Sequence, residues 1–308
     1  MARAIAAAQI APLPATAPLR RPGVRLRAYP QLVIGAAALL VLIAGAAVGP
    51  VLVAYGPTAA DFSATLRGPS AAHVFGTDQL GRDSLSRALS GARISLLVAA
   101  GTVVLSLAGG VPLGLLSGLR RGWLESLIMR VMDGVLAFPG LILAMAIAFV
   151  LGPSVATVIV ALSIVRLPPF ARVVRAQTLA LGQGDYVESA RALGASQRRV
   201  AVTHVLPNVL STILVQASLA AGAAIFTEAS LSFLGAGVPP PTPTWGSMLH
   251  DAYPYLEVNP WQTLVPGLCI FLAVLSCNFI GDGLRDLLDP RERTRRGLGT
   301  GAHTRSVR

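Results

Sequence analysis

No lysine occurs anywhere in the 308 residues; all 25 basic residues are arginine. A Walker A phosphate loop places a lysine before its Ser or Thr, so this chain cannot hold ATP in that way. Charge of either sign is scarce. Only 13% of residues are charged against 54% hydrophobic, and the mean hydropathy of +0.66 excludes the balance of an ordinary soluble domain. Cysteine is limited to Cys269 and Cys277, eight positions apart in one apolar run. On a helix that spacing separates them by about 12 Å, which excludes an intrachain disulfide there. The four histidines, His73, His204, His250 and His303, have no ligand-like spacing, so no metal site is expected. No clustered His, Cys, Ser or carboxylate constellation marks a membrane enzyme.

What the chain does contain is long charge-free runs. The net charge of +11 raises the question of nucleic acid, but a nucleic-acid binder gathers its basic residues on one face or stripe. Here the arginines fall in short segments between apolar runs, the pattern of a polytopic membrane protein. Residues 1–31, rich in Ala, Pro and Arg, predict a mobile tail. The run Leu32–Tyr55 is 24 residues, longer than the roughly 7–15 of a signal h-region and sufficient to span a bilayer. Further runs cover Ile94–Leu119, Gly134–Val165, Val205–Thr227 and Trp261–Gly281. The 32-residue third one is broken by Gly152-Pro153-Ser154 and divides into Gly134–Leu151 and Val155–Ala171, with Arg166 snorkelling near one end. The expectation is an all-α polytopic membrane protein with six transmembrane helices over 32–281 and a tail over 282–308.

Short cytoplasmic loops carry the arginine excess. With the N-terminus inside, 21 arginines lie on the cytoplasmic side and four, Arg67, Arg82, Arg87 and Arg93, outside. Both termini are then cytoplasmic. Gly110, Gly114 and Gly118 recur every four residues around Pro112; the preferred reading is a bare helix face for close packing, ahead of a gating kink. Asp78/Arg82 and Asp83/Arg87 are i,i+4 pairs, read either as helix-surface pairs or as a contact with an external protein. Glu228, near the outer end of the fifth span, is a functional candidate by default, with a structural hydrogen-bonding role preferred.

The segment 172–207 between the fourth and fifth spans is amphipathic. Asp185 and Glu188 match a capping box that starts a helix, Gly194 suits a left-handed C-cap, and Ser196 can start a second helix that runs until Pro207. Tyr186, Ala190 and Leu193 at i, i+4 and i+7 make a narrow apolar stripe suited to a shallow groove on a partner.

The run Glu188-Ser189-Ala190-Arg191-Ala192-Leu193-Gly194, followed nine residues later by His204-Val205-Leu206-Pro207, resembles the EAA signature of ATP-binding-cassette importer permeases. Ser189 stands where that signature has Ala, and His204 where it has Ile. Gly76 to Asp83 continuing through Ser86-Arg87 to Leu96, Met132-Asp133 to Phe138-Pro139, Pro243 to Gly246, and Gly281 to Arg291 resemble the second permease subunit of dipeptide and oligopeptide importers. Together these stretches span most of residues 70–291; Leu167 stands where that family often has Trp. The resemblance implies a type I importer permease fold, with 172–207 as a cytoplasmic coupling-helix hairpin in which Asp185, Tyr186, Glu188, Ala190, Leu193, Gly194, Leu206 and Pro207 serve the docking of an ATPase. It implies a bacterial inner-membrane subunit with no cofactor of its own. Its partners are a homologous second permease, two ATPase subunits that hold ATP and Mg, an external substrate-binding protein and the lipid bilayer. Dipeptides or oligopeptides are the implied cargo, and the same branch also serves glutathione and nickel or metal chelates. An ion-coupled secondary transporter is the alternative of another class; it would call for an internal repeat or buried ionisable groups, and no clear repeat is seen.

Overall fold

The computed structural model describes residues 29–120 and 122–288. The tail expected over 1–31 therefore lies outside the described residues up to residue 28, as does the C-terminal part from residue 289. Helix α1 (Pro30–Leu52) begins with Pro at its first position, where a missing N–H costs nothing. Helix α2 (Ser84–Leu119) is 36 residues, about 54 Å, well beyond a hydrocarbon core of about 30 Å. Helix α3 (Trp123–Leu136) and helix α4 (Gly140–Leu151) follow, then α5 (Val155–Leu181), the short α6 (Asp185–Ala192) and α7 (Gln197–Arg199), α8 (Leu206–Phe233), α9 (Trp245–Ala252) and α10 (Trp261–Leu288).

Among the described residues, five helices are long and apolar enough to cross a membrane, and the α3–α4 pair makes a sixth only if its two parts count as one broken span. The expected single span Gly134–Leu151 is corrected here: the chain turns by 91° between α3 and α4. Pro139 has no N–H to continue the ladder and restricts Phe138 before it, so the helix ends at Leu136 and a new one starts at Gly140. The α3 part lies against α5, where Asp133 accepts from Arg172 at 2.5 Å and Glu125 pairs with Arg175. Arginines 172 and 175 thus lie on α5 itself, which runs unbroken to Leu181.

The glycines of α2 are packing sites. A Cβ on Gly110 would lie 2.7 Å from Phe170 Cβ, one on Gly114 2.7 Å from both Ala171 O and Val174 Cβ, and one on Gly118 2.5 Å from Thr178 Cβ. All three meet α5, so the bare face lets two backbones approach as no other residue would. A first apolar core joins α1, α2, α8, α9 and α10 around Ala92, Ile225, Trp245 and Ala273. A second joins α2, α4, α5 and α8 around Val98, Ala161, Leu162 and Leu231. A third, at the opposite end of α2, gathers Val174, Val187, Val200, Val205, Val209 and Ile213 beneath α6.

Candidate functional site

The segment α6–α7 forms a hairpin at the end of the bundle where α2 and α5 finish. Its start differs from the expected capping box. Gly184 is the N-cap and makes no side-chain cap bond, while Asp185 is the first helical residue. The Gly184 carbonyl accepts from the Val187 and Glu188 amides instead. Asp185 and Glu188 both lie in the first turn, where their charge complements the N-terminal end of the helix dipole. The C-terminal end is as expected: Gly194 has φ +83°. The Ala195 amide donates to Ala190 O at 3.0 Å and the Gly194 amide to Arg191 O at 2.9 Å, the paired bonds of a Schellman cap.

Ser196 then caps the next helix, its hydroxyl accepting from the Arg199 amide at 3.3 Å. That helix does not stop at Pro207. It continues from Gln197 to Phe233 through a π-helical stretch, Val200–Val205, in which the Leu206 amide donates to Ala201 O five residues back. A proline ring clashes with the carbonyl four residues earlier in a regular helix, and the wider turn gives that carbonyl room. Asn208 Nδ2 donates to His204 O at 2.6 Å, satisfying another carbonyl in the same place. Leu206 is half-buried against the third core, and Pro207 is exposed in the first turn of α8.

The apolar stripe is bare in this chain. Leu193 is 89% exposed and Tyr186 45%, its ring 6.4 Å from His204, with Ala190 half-buried between them. The side chain that fixes α6 to the bundle is Val187, fully buried among the third-core valines. The sequence reading overlooked Val187; it lies one position from Tyr186, about 100° round the helix on the flank of the stripe, where an apolar residue can face the bundle.

At the other end of the bundle, Asp83 is not paired with Arg87. It caps α2 by accepting from the Ser86 amide at 2.8 Å and lies 3.0 Å from His73 Nδ1. Arg87 instead reaches Asp78 at 3.4 Å and Asp251 of α9 at 3.1 Å, and Arg82 bridges the same two carboxylates at 2.6 and 3.2 Å. Two acids and two arginines, mostly buried, therefore clasp the segment before α2 to α9. Asp251 was not foreseen because its partners are more than 160 positions away. In the adjacent loop Asp61 caps a 3-10 turn, and the Ser63 hydroxyl and amide, at 2.7 and 2.9 Å, hold its carboxyl below the usual carboxylate range.

A carboxyl group and a guanidinium lie within the bundle among its buried hydroxyls. Glu228 is fully buried and accepts from Ser95 Oγ at 2.9 Å and Ser232 Oγ at 2.8 Å, joining α8 to α2 as a hydrogen-bonding centre. Arg166 does not snorkel as expected; its Nη2 donates to Ala223 O at 3.2 Å and Thr227 Oγ1 at 3.1 Å on α8.

Residues 110–294 match the family described as binding-protein-dependent transport system inner membrane component. The chain belongs to that family. It is a multi-pass inner-membrane transport component and not an enzyme. Like this chain in sequence are the glutathione transport system permease protein of Pectobacterium atrosepticum, 46% identical over 75% of this chain and 77% of that protein, and the dipeptide transport system permease protein of Alkalihalophilus pseudofirmus, 41% identical over 90% and 91%. A chain of the MetNI methionine ABC transporter, solved in an inward-facing conformation, shares the fold with a TM-score of 0.56 at 20% identity over 66% of this chain and 96% of that one. The α6–α7 hairpin lies within the span of this transport-component family, and the ionic clasp's Asp78, Arg82 and Arg87 precede it.

Proposed function

We propose that this chain is one of two homologous permease subunits of an ATP-driven importer, and that its cargo is short peptides, including the γ-linked tripeptide glutathione. The bare Tyr186–Ala190–Leu193 stripe, on a helix held to the bundle by Val187 alone among its buried residues, carries the reading: a rigid hairpin offering apolar side chains to water is built to be covered. The occupant is the cytoplasmic ATPase. Closure of two ATPases on ATP moves the hairpin, and through the continuous helix Gln197–Phe233 that motion reaches the spans. The 46% and 41% relatives, named for glutathione and dipeptide transport, support the cargo.

Uptake into vesicles is expected to require ATP, the partner ATPases and a binding protein together, and the purified chain alone should hydrolyse no ATP because it has no lysine for a phosphate loop. Uptake driven by an ion gradient with the ATPases absent would overturn the proposal in favour of a secondary transporter. Topology is tested separately. A cysteine at Val258, 68% exposed between α9 and α10, should react with an impermeant reagent in intact cells lacking the ATPases. One at the exposed Gln183 should react only after permeabilisation. The reverse pattern would place the hairpin outside and end the coupling role.

A further inference from the structure

Arg166 lies 11 residues from the start of α5 and 15 from its end, so both ends are about 16 Å or more away along the axis and the residue is near the middle of a bilayer-spanning helix. A charge at that depth is costly against lipid and is found facing a bundle interior or a water-filled cavity. Arg166 indeed lines a cavity of about 200 Å³ between α5 and α8, with Pro169 and Phe170 on one wall and Gln216, Leu219, Ala220 and Ala223 on the other. No acidic residue lines it. The Nη2 group is held by Ala223 and Thr227, which aims the guanidinium, while Nε and Nη1 have no hydrogen-bond partner among the described residues. The Gln216 amide, on the same cavity wall, likewise has none. Beside Arg166, Pro168 and Pro169 remove two donors from the α5 ladder, a break that membrane helices tolerate where the backbone lines a cavity.

We propose that Arg166 takes the carboxylate of the transported peptide, with Gln216 meeting a peptide group farther along a longer cargo. This rests on the peptide-import reading above. A guanidinium with free donors matches a carboxylate through paired charge-assisted hydrogen bonds. Gln216 lies seven residues along α8 from Ala223, about 10 Å. An extended chain covers that distance in about three residues, so a tripeptide or longer peptide reaches Gln216 and a dipeptide meets Arg166 alone. A carboxylate is common to every peptide and a more distant backbone amide to every longer one, so these two side chains recognise cargo without regard to its sequence. The cavity is smaller than the roughly 300–1,000 Å³ of complete ligand sites, which makes it one half of a pathway whose other wall the second permease supplies.

The test uses the complete importer reconstituted in vesicles, with Cys269 and Cys277 replaced by serine and Gln216→Cys as a reporter. In the assembled complex the reporter should react with small methanethiosulfonate reagents. The ratio of anionic to cationic reagent rates should fall by about tenfold on Arg166→Gln, the size expected for one unit charge acting at about 10 Å in a partly aqueous site. In importer carrying the native Gln216, Arg166→Gln should lower dipeptide uptake about ten- to a hundredfold, as loss of a charge-assisted hydrogen bond predicts, with Arg166→Lys intermediate. A reporter that is unreactive in the complex, or a rate ratio or uptake unchanged by Arg166→Gln, would overturn the assignment. An importer that shows the charge preference yet moves neither dipeptide nor glutathione would overturn the peptide reading and leave an anion site for another carboxylate.

Discussion

Gly114→Leu is expected to deplete the protein from the membrane. Alanine alone would put its Cβ 2.7 Å from the Ala171 carbonyl oxygen and 2.7 Å from Val174 Cβ, and neither can yield: one is helix backbone, the other the root of a β-branched side chain with a single favoured rotamer. Overpacking a well-filled interior typically costs about 1–3 kcal/mol, and a leucine needs the two helices to part over several turns, so the cost extends to the Gly110 and Gly118 contacts on the same face. Steady-state level and protease resistance in isolated membranes measure this. Gly114→Ala should be intermediate, and Gly267→Ala in α10, whose added Cβ would meet nothing within 4 Å, should be normal. Equal levels for Gly114→Leu and Gly267→Ala would mean that α2 and α5 do not pack as described.

The α2 glycine stripe illustrates what was legible in the sequence. A period of four with no side chains predicts a close helix contact, and only the identity of the partner helix had to come from the fold. The hairpin was legible for the same reason: Gly194 and Ser196 act on their own neighbours, and local chemistry can be read locally. Asp185 and Glu188 show where this fails, because a capping box and an acidic first turn have the same composition and differ by one residue of helix start. The running of α8 through Pro207 was hidden because a proline normally ends a helix, and the π-helical turn that absorbs it has no sequence mark. The bend at Pro139-Gly140 was marked, but the apolar run concealed it, since hydropathy counts residues and is blind to direction. The ionic clasp and the aim of Arg166 depend on residues far apart in the chain, Asp251 and Thr227, and were beyond a linear reading. Arg166 also bears on the charge count: counted as cytoplasmic in the sequence, it lies near the middle of α5 and bonds to α8.

Gly194→Val is expected to abolish uptake while leaving the chain in the membrane. A Cβ at position 194 would meet nothing within 4 Å, so the substitution is not a steric one; its cost lies wholly in φ +83°, which a β-branched residue adopts only as an outlier. The strain, about 1–3 kcal/mol, is relieved by leaving the left-handed region, and that breaks the paired bonds from Gly194 to Arg191 and from Ala195 to Ala190. The helix after Ser196 then no longer leaves α6 at its present angle, and Tyr186 and Leu193 lose their placement. None of the three α2 glycine contacts, nor the first two cores, involves the hairpin, so insertion and pairing with the second permease should persist. Co-purification of the ATPases should fall and uptake should be lost. Gly194→Asn is the deciding control, since Asn enters the left-handed region at little cost and should retain docking. Glu188→Ala should be mild, because Glu188 contributes a dipole term of only about 0.3–1 kcal/mol and no cap. Normal docking and uptake by Gly194→Val would refute the coupling role. Equal failure of Asn and Val would shift the explanation from backbone conformation to the bare surface at 194, and loss of both variants from the membrane would make the hairpin a folding element instead of a transmission.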